Sequence, residues 1–443
     1  FGDSPYQSFS SFAGQPILIS PDKLLEEELL RPEDLMDVPE FDDTKVDYGP
    51  AINWKMGILK KSYEHFKGAN DFDLLAAYAI FCKKNSFWLD DYALFMTLKA
   101  MHNGQSWEDW EEDYKFLSKA DRKVLLKSHA DEIGYVKYTQ FVFYRQWMAL
   151  KMYANEQDIL IIGDIPIFVA PDSADIWANQ KLFQLDSEGY PTAVAGVPPD
   201  SFSKNGQLWG NPLYNWEAHQ KSRFSWWIAR IKHQLELVDY LRIDHFRGFD
   251  AYWSVPYGDE TALGGEWINA PGKALFTAIT HALGDDLPIV AEDLGVITKE
   301  VEELRDAFHL PGMKVLQFAF NKPDKESPFL PHQFKNNNCI CYTGTHDNDT
   351  TRGWWENATP EVQHKVRRYL NCDGSIIAWD FIRLALSTSA RYAIFPLQDL
   401  FGLDNSARMN IPGAPSGNWS WRYDPSLLTD ETAAALKELT VLF

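Results

Sequence analysis

The chain has 443 residues, 45% hydrophobic and 24% charged, with a formal net charge of -21. That composition is globular and long enough for one large barrel with an insertion, or for two to three domains. The acidic excess argues against nucleic acid, which needs a basic footprint, and against an anionic membrane surface; no run of about 18 apolar residues is available to cross a membrane.

Residues 1 to 20 are polar and aromatic and end in the apolar run Pro16-Ile17-Leu18-Ile19. They are expected to be a barrel segment, the loop after a second strand. Acidic residues dominate from Pro21 to about Asp47, with Leu24, Leu25, Leu29 and Leu30 forming a short amphipathic helix. From about Trp54 to Asn155 the pattern is helical. Leu74, Leu75, Tyr78, Ala79 and Cys82 mark one predicted helix face. Residues 21–155 therefore read as a mainly helical inserted subdomain, and 156–443 as the rest of a catalytic barrel whose long loops cover a cleft.

The texture changes at Ile159-Leu160-Ile161-Ile162-Gly163-Asp164-Ile165-Pro166, a short apolar strand carrying Asp164. A long Pro/Gly/Asn-rich loop is predicted from Val169 to about Tyr214, and loops of that length are usually functional. Phe224, Trp227, Ile228, Ile231 and Leu235 mark an amphipathic helix. It leads into Tyr240-Leu241-Arg242-Ile243-Asp244-His245-Phe246-Arg247-Gly248-Phe249. In an extended chain Arg242 and Asp244 point to one face, and Gly248 is where the backbone is expected to turn.

A helix from about Lys273 to Leu283 precedes the strand Pro288-Ile289-Val290-Ala291-Glu292-Asp293, and Thr298 is the predicted N-cap of the next helix. Met313 to Phe320 reads as a strand. Cys339 to Gly344 reads as another, followed by helices at about 360–370 and 375–389 and a last strand, Tyr392 to Leu397. Residues 401–422 form a loop rich in Asn, Gly and Pro, and a short helix lies near 432–439.

Buried strands alternating with helices imply a parallel α/β fold, here a TIM (β/α)8 barrel with a helical insertion. An open doubly wound sheet is the alternative, but no Gly-x-Gly-x-x-Gly or Walker motif supports a nucleotide site. Six such strands are read, near residues 162, 243, 290, 316, 341 and 395. The first two of the eight that a barrel needs are then expected to precede Phe1.

Three acids stand at or just past strand ends: Asp244, Glu292 and Asp347. Each alone reads equally well as a strand-end salt bridge. Together they want cations or chemistry. A carboxylate magnesium site is one reading, but no surrounding cluster of His or Cys ligands points to a transition metal, and no metal or other cofactor is expected. Glycosyl transfer is the other, because it needs a nucleophilic carboxylate, a protonated one and a charge stabiliser. Arg242 suits the cation that keeps the nucleophile ionised, and His346 can donate to sugar hydroxyls. Aromatic content of 14%, with 17 Trp and 19 Tyr, suits a ligand that stacks, although a large core uses the same residues. The four cysteines, Cys82, Cys339, Cys341 and Cys372, make neither a zinc pattern nor a disulfide framework. They point to a reducing compartment, the cytoplasm, with a plastid stroma as the alternative.

At these residues the sequence resembles the 4-alpha-glucanotransferases (amylomaltase, disproportionating enzyme), glycoside hydrolase family 77 of the alpha-amylase clan. Arg242 to Gly248, Ala291-Glu292-Asp293-Leu294-Gly295 and Thr345-His346-Asp347-Asn348 match its three acid-bearing motifs. Gly2-Asp3-Ser4-Pro5-Tyr6, Gly163-Asp164-Ile165-Pro166, Val197-Pro198-Pro199-Asp200 and Gln207-Leu208-Trp209-Gly210-Asn211-Pro212 match others, as does Arg408-Met409-Asn410 through Asn418-Trp419. The resemblance implies Asp244 as nucleophile, Glu292 as general acid/base and Asp347 as transition-state stabiliser. It implies that Arg242 and His346 contact the reacting sugar, that Tyr6 stacks on it, that Ser4 is a further substrate contact, and that Asp164 lies beside it. Asp200, Gln207 and Trp209 would belong to a loop that arches over the cleft and contacts the glucan. Asn410 and Asn418 are implied substrate contacts, with turn formation as the alternative for both.

The implied reaction is retaining transfer of alpha-1,4-glucan segments through a glucosyl-enzyme ester, with the Asp244 and Glu292 carboxyl carbons roughly 5–5.5 Å apart. The expected partners are alpha-1,4-glucans, with no nucleic acid and no membrane, and the protein itself is expected to be a monomer or weak homo-oligomer. The alternatives are an alpha-glucan hydrolase, a catalytically silent glucan-binding protein and a magnesium-dependent lyase.

Overall fold

The structure is a computed structural model that describes residues 3–199, 204–321, 327–414 and 416–443. Ten strands run along the described chain: β1 (Ile162–Pro166), β2 (Ala193–Val197), β3 (Gln207–Pro212), β4 (Tyr240–Asp244), β5 (Ala251–Pro256), β6 (Glu266–Asn269), β7 (Ile289–Ala291), β8 (Gly312–Val315), β9 (Cys339–Tyr342) and β10 (Tyr392–Ile394). The six predicted strands correspond to β1, β4, β7, β8, β9 and β10. Contacts divide the chain into two compact units, one of Asp3–Glu40 and Gly49–Ile289, the other of Phe41–Tyr48 and Val290–Phe443.

In the first unit β1 and β4 run parallel, with Ile162 opposite Tyr240, Asp164 opposite Arg242 and Pro166 opposite Asp244. Leu241 and Ile243 are fully buried, so the core claims the odd-numbered face of β4 and Tyr240, Arg242 and Asp244 share the other. The Leu241 N–H also donates to Pro288 O at 2.8 Å, which brings the chain beside β4 just before β7. At the other end Asp239 Oδ2 accepts from the Ile161 N–H at 2.8 Å and from Asn155 Nδ2 at 3.0 Å. That carboxylate latches the long helix Ala130–Glu156 to the start of both strands.

The stretch from 48 to 156 holds helices and no strand, as its periodicity predicts. Asp71 caps the helix Phe72–Lys84 by accepting from the Asp73 and Leu74 N–H groups, both at 3.0 Å. The face this helix offers is turned from the predicted one. Leu74, Tyr78 and Phe81 pack against the aromatic cluster of Tyr63, Phe66, Tyr138 and Phe141, whereas Leu75 and Ala79 are exposed. The bulk of Phe81 outweighs the small Ala79.

Three predictions are corrected. The stretch from Val169 to Tyr214 is not an unbroken loop. It contains the helix Ala174–Ala178 and the strands β2 and β3, which join β5 and β6 in an antiparallel sheet of order β3-β2-β5-β6. Glycines at 196, 206 and 210 and the flanking prolines interrupt the alternation that would have disclosed these strands. Met313 to Phe320 is only half strand, because Leu316–Phe320 is a helical turn; a short apolar run does not separate the two states. The turn after β4 is made by His245, at φ 56, and not by Gly248. Gly248 serves packing instead, since a Cβ there would lie 2.8 Å from Ile167 Cδ1.

In the second unit β8, β9 and β10 are parallel, in the order β10-β9-β8, and the Ala291 N–H donates to Pro311 O at 2.9 Å. Val290, Met313, Val315, Ile340 and Tyr342 form one core cluster. The helices Pro360–Leu370 and Ile377–Leu386 pack a second one around Phe320 and Phe381. All four cysteines are free thiols.

The end of β1 depends on one buried cation. Arg230, 1% exposed, donates through Nη2 to Pro166 O at 2.7 Å and through Nη1 to Ile167 O at 3.1 Å. Trp226 and Trp227 lie 5.5 and 5.0 Å from its guanidinium. Removing it takes the donor from Pro166 O, while Ile167 O keeps the Tyr214 hydroxyl at 2.7 Å, so Arg230→Met should cost about 2 kcal/mol in urea unfolding, and Arg230→Lys should recover only part, lacking the fork. Asp175, buried nearby, accepts from the Ser11 N–H at 2.6 Å, and burial pushes its carboxyl up to about 6. The folded chain therefore holds a proton that the unfolded chain releases near the ordinary value of 3.8. Asp175 then withdraws stability as pH rises through about 4 to 6. Asp175→Asn keeps the acceptor, and its melting temperature should gain on the parent across that window.

Candidate active site

Candidate residues stand at or just past strand ends in each of the two units. In the first unit Arg242 is the centre. Its place on β4 puts it on the same face as Asp244, and Nη2 donates to Asp244 Oδ1 at 2.7 Å. The parallel register puts Asp164 of β1 opposite Arg242, and Nη1 donates to Asp164 Oδ2. One guanidinium, 8% exposed, thus holds two half-exposed carboxylates from neighbouring strands. The Tyr6 hydroxyl donates to the same Asp164 Oδ2 at 2.6 Å and accepts from Arg242 Nη1 at 3.4 Å. Burial first, and then the charges of Asp164 and Asp244, push the Tyr6 phenol well above its ordinary value. Tyr6 is therefore a fixed neutral donor. Ser4 shapes the turn that presents it, its Oγ accepting from the Tyr6 N–H at 3.3 Å and its carbonyl from the Gln7 N–H at 3.2 Å.

Two other residues of this unit approach the end of β4. His245 meets Trp209 edge-on at 4.8 Å between ring centroids. Burial, with help from Arg247, depresses its imidazole to about 4, so the ring is neutral. Gln207 Oε1 accepts from Trp209 Nε1 at 3.2 Å, so the two residues order each other on β3. Asp200 lies outside the described residues.

The second unit supplies Glu292 and Asp347. Glu292 follows β7 directly, and its Oε1 accepts from the Leu294 N–H at 2.8 Å. The adjacent Asp293 turns inward. It is 8% exposed, accepts from the Met313 N–H at 2.7 Å and pairs with Arg305 Nη1 at 2.5 Å. The start of β8 makes room for it, since a Cβ on Gly312 would fall 2.4 Å from Asp293 Oδ2. One acid of the pair is consumed by the fold and the other is left half-buried at the strand end.

Asp347 sits in a braced loop after β9. Asn348 Oδ1 accepts from the Thr345 N–H and Oγ1, both at 2.9 Å. Buried Asp399 accepts from Thr343 Oγ1 at 2.6 Å and from the Thr351 N–H and Oγ1, both at 2.7 Å. Asn410 Nδ2 donates to Asp347 Oδ1 at 2.6 Å, and Arg408 Nη2 to Asp347 O at 2.8 Å. His346 Nε2 stands 3.5 Å from Asp347 Oδ2, and its ring faces Trp419 at 5.2 Å. The two asparagines part company here. Asn410 touches a candidate acid. Asn418 Oδ1 accepts from the Ile411 N–H at 2.9 Å and its Nδ2 donates to Ala414 O at 3.2 Å, closing a turn. Tyr48 donates to Trp419 O at 2.7 Å, and the Val46 N–H to Ser420 O at 2.7 Å, so the segment 41–48 pins the loop that carries Asn410.

Sequence reasoning gave none of the supports a role: His245, Asp293 and Arg408 stand inside quoted motifs without one, and Asp399 is not singled out at all. The signal that could have found them was motif membership for those three and nearness to the predicted strand Tyr392 to Leu397 for Asp399. Among the described residues no group of three or more His, Cys, Asp or Glu is arranged to hold a metal ion, and no helix is long and apolar enough to cross a membrane.

The contrast between the asparagines is testable. Asn410→Ala should lower catalytic turnover roughly 10²-fold by releasing Asp347 while barely moving the melting temperature. Asn418→Ala should cost about 1 kcal/mol of stability and keep kcat.

A family model described as 4-alpha-glucanotransferase matches residues 2–429. A 4-alpha-glucanotransferase of Synechocystis sp. is 50% identical, over 100% of this chain and 88% of the relative. That of Thermus thermophilus is 48% identical, over 99% and 88%. The chloroplastic/amyloplastic one of Solanum tuberosum is 43% identical, over 98% and 75%. Among solved structures, amylomaltase from Streptococcus agalactiae in complex with acarbose superposes with a TM-score of 0.96 at 38% identity, covering 100% of this chain and 89% of that one.

Proposed function

The chain belongs to the 4-alpha-glucanotransferase family and is an enzyme that transfers alpha-1,4-glucan segments, and we propose that it does so by a retaining, two-step mechanism centred on Asp244. The observation that carries this is the Arg242 fork on Asp244 and Asp164, which favours an ionised carboxylate at the end of β4. In the first step Asp244 attacks the anomeric carbon of a bound glucan. The glycosidic C–O bond breaks, and Glu292 gives its proton to the departing 4-oxygen. Asp347, oriented by Asn410, faces the positive charge that builds on the ring. In the second step the 4-hydroxyl of an acceptor glucan attacks the ester, giving its proton to Glu292 and freeing Asp244.

The remaining roles follow from chemistry. Tyr6 offers a neutral aromatic ring to the sugar with its hydroxyl already committed to Asp164. Arg242 and His346 can donate to ring hydroxyls. Gln207, Trp209 and Asp200 stand on the segment assigned to the glucan cleft. The six parallel strands are assigned to a (β/α)8 barrel, with 21–155 as its helical insertion. The enzyme is placed in the cytoplasm or a plastid stroma, as a monomer or weak homo-oligomer.

Incubation with maltotriose tests the reading. Glucose and longer oligomers should accumulate with reducing ends constant and with chelator present. Rising reducing ends would indicate a hydrolase, and loss on chelation a metal enzyme. Asp244→Ala should abolish turnover, by roughly 10⁴-fold or more, while glucan binding persists. A crystal structure should find the Asp244 and Glu292 carboxyl carbons roughly 5–5.5 Å apart; a gap above about 6.5 Å would overturn retention.

A further inference from the structure

The first compact unit contains a cavity of about 240 Å³ whose lining shares no residue with the proposed catalytic set. Its walls combine flat rings with polar groups. Phe12, Trp88 and Trp226 supply the rings, and Asp175, Asn179 and Ser225 the polar side. Phe12 lies nearly parallel to Trp88, at 13° and 6.3 Å, and edge-on to Trp226, at 86° and 6.2 Å.

Three observations bear on what would fit. Trp226 is 8% exposed, and its indole Nε1 has no acceptor within the protein, a donor that a buried tryptophan ordinarily satisfies. The charge of the lining is already compensated: Asp91 pairs with Arg122, and Asp175 lies in the field of Arg230. The cavity therefore does not select a cation. Its volume falls just below the ~300–1,000 Å³ of clefts for drug-sized ligands, which suits one ring and not a chain. Aromatic faces beside a carboxylate, an amide and hydroxyls are the chemistry that receives the C–H face and the hydroxyl edge of a pyranose.

We propose that this cavity binds a single neutral sugar ring, a glucosyl unit, independently of the cleft that carries Asp244. The sugar class comes from the lining; the choice of glucose among sugars rests on the transferase reading.

The test uses the full chain labelled with 5-fluorotryptophan and titrated with glucose, read by ¹⁹F NMR. Trp88→Phe, Trp226→Phe and Trp209→Phe assign the three signals. The Trp88 and Trp226 signals should shift saturably with glucose. Ser225→Leu, which fills the cavity, should abolish both shifts and leave transfer from maltotriose unchanged; Ala229→Leu, on the same wall, replaces it if that variant does not fold. Trp209 reports the candidate active site separately. Trp88 and Trp226 signals that stay fixed overturn the cavity proposal, as do shifts that survive filling. A fixed Trp209 signal with moving Trp88 and Trp226 signals leaves the proposal standing and counts against glucose reaching the cleft.

Discussion

The guanidinium of Arg242 is the constraint on which the candidate residues of the first unit depend. Burying a cation between two carboxylates is costly, and it is offset only when geometry is good and hydrogen bonds are complete. Both conditions are met here by backbone register. Parallel pairing sets Asp164 beside Arg242, and strand periodicity sets Asp244 on the same face. The register is itself fixed by Leu241 and Ile243, which have no exposed surface. A slip of one residue would send Arg242 into that core and those side chains to the cleft. The packing of β4 and its electrostatics are therefore one requirement.

A second constraint recurs where two acids stand close in sequence. Asp293 beside Glu292 is tied to Met313 and Arg305. Asp349, two residues after Asp347, accepts from Asn405 at 2.8 Å. In each case one carboxylate is consumed by the fold, and this holds its neighbour at a set place. Structural acids stiffen the backbone on which the proposed catalytic acids stand, as preorganisation requires.

Much of this was legible in the sequence, for physical reasons. Strands such as β4 and β7 are short apolar runs ending in charge, as buried strands that carry polar groups at their ends do. Asp244, Glu292 and Asp347 were visible because acids at strand ends break an apolar run. Strands β2 and β3 of the antiparallel sheet were not visible, because Gly196, Gly210 and Pro212 interrupt their alternation. The turn at His245 was assigned to Gly248 because glycine is the usual residue for a positive φ. Here a histidine takes that conformation, with its imidazole edge-on to Trp209. Asn410 and Asn418 were indistinguishable, because hydrogen bonding to a carboxylate or to a turn asks the same chemistry of an amide.

The net charge of -21 sets a last condition on recognition. A neutral glucan is neither drawn in nor repelled by that field, and Arg242 already spends its charge on Asp244 and Asp164. Selection among neutral ligands must then come from shape, stacking and hydrogen bonds. Groups beside the candidate acids of each unit fit that condition. His245 is held neutral by burial against Trp209, Tyr6 is held protonated, and His346 lies against Trp419. A ring beside a polar tip recurs at each place. A composition that argues against polyanions is thus matched, in the proposed reading, by aromatic and hydroxyl groups around the candidate acids.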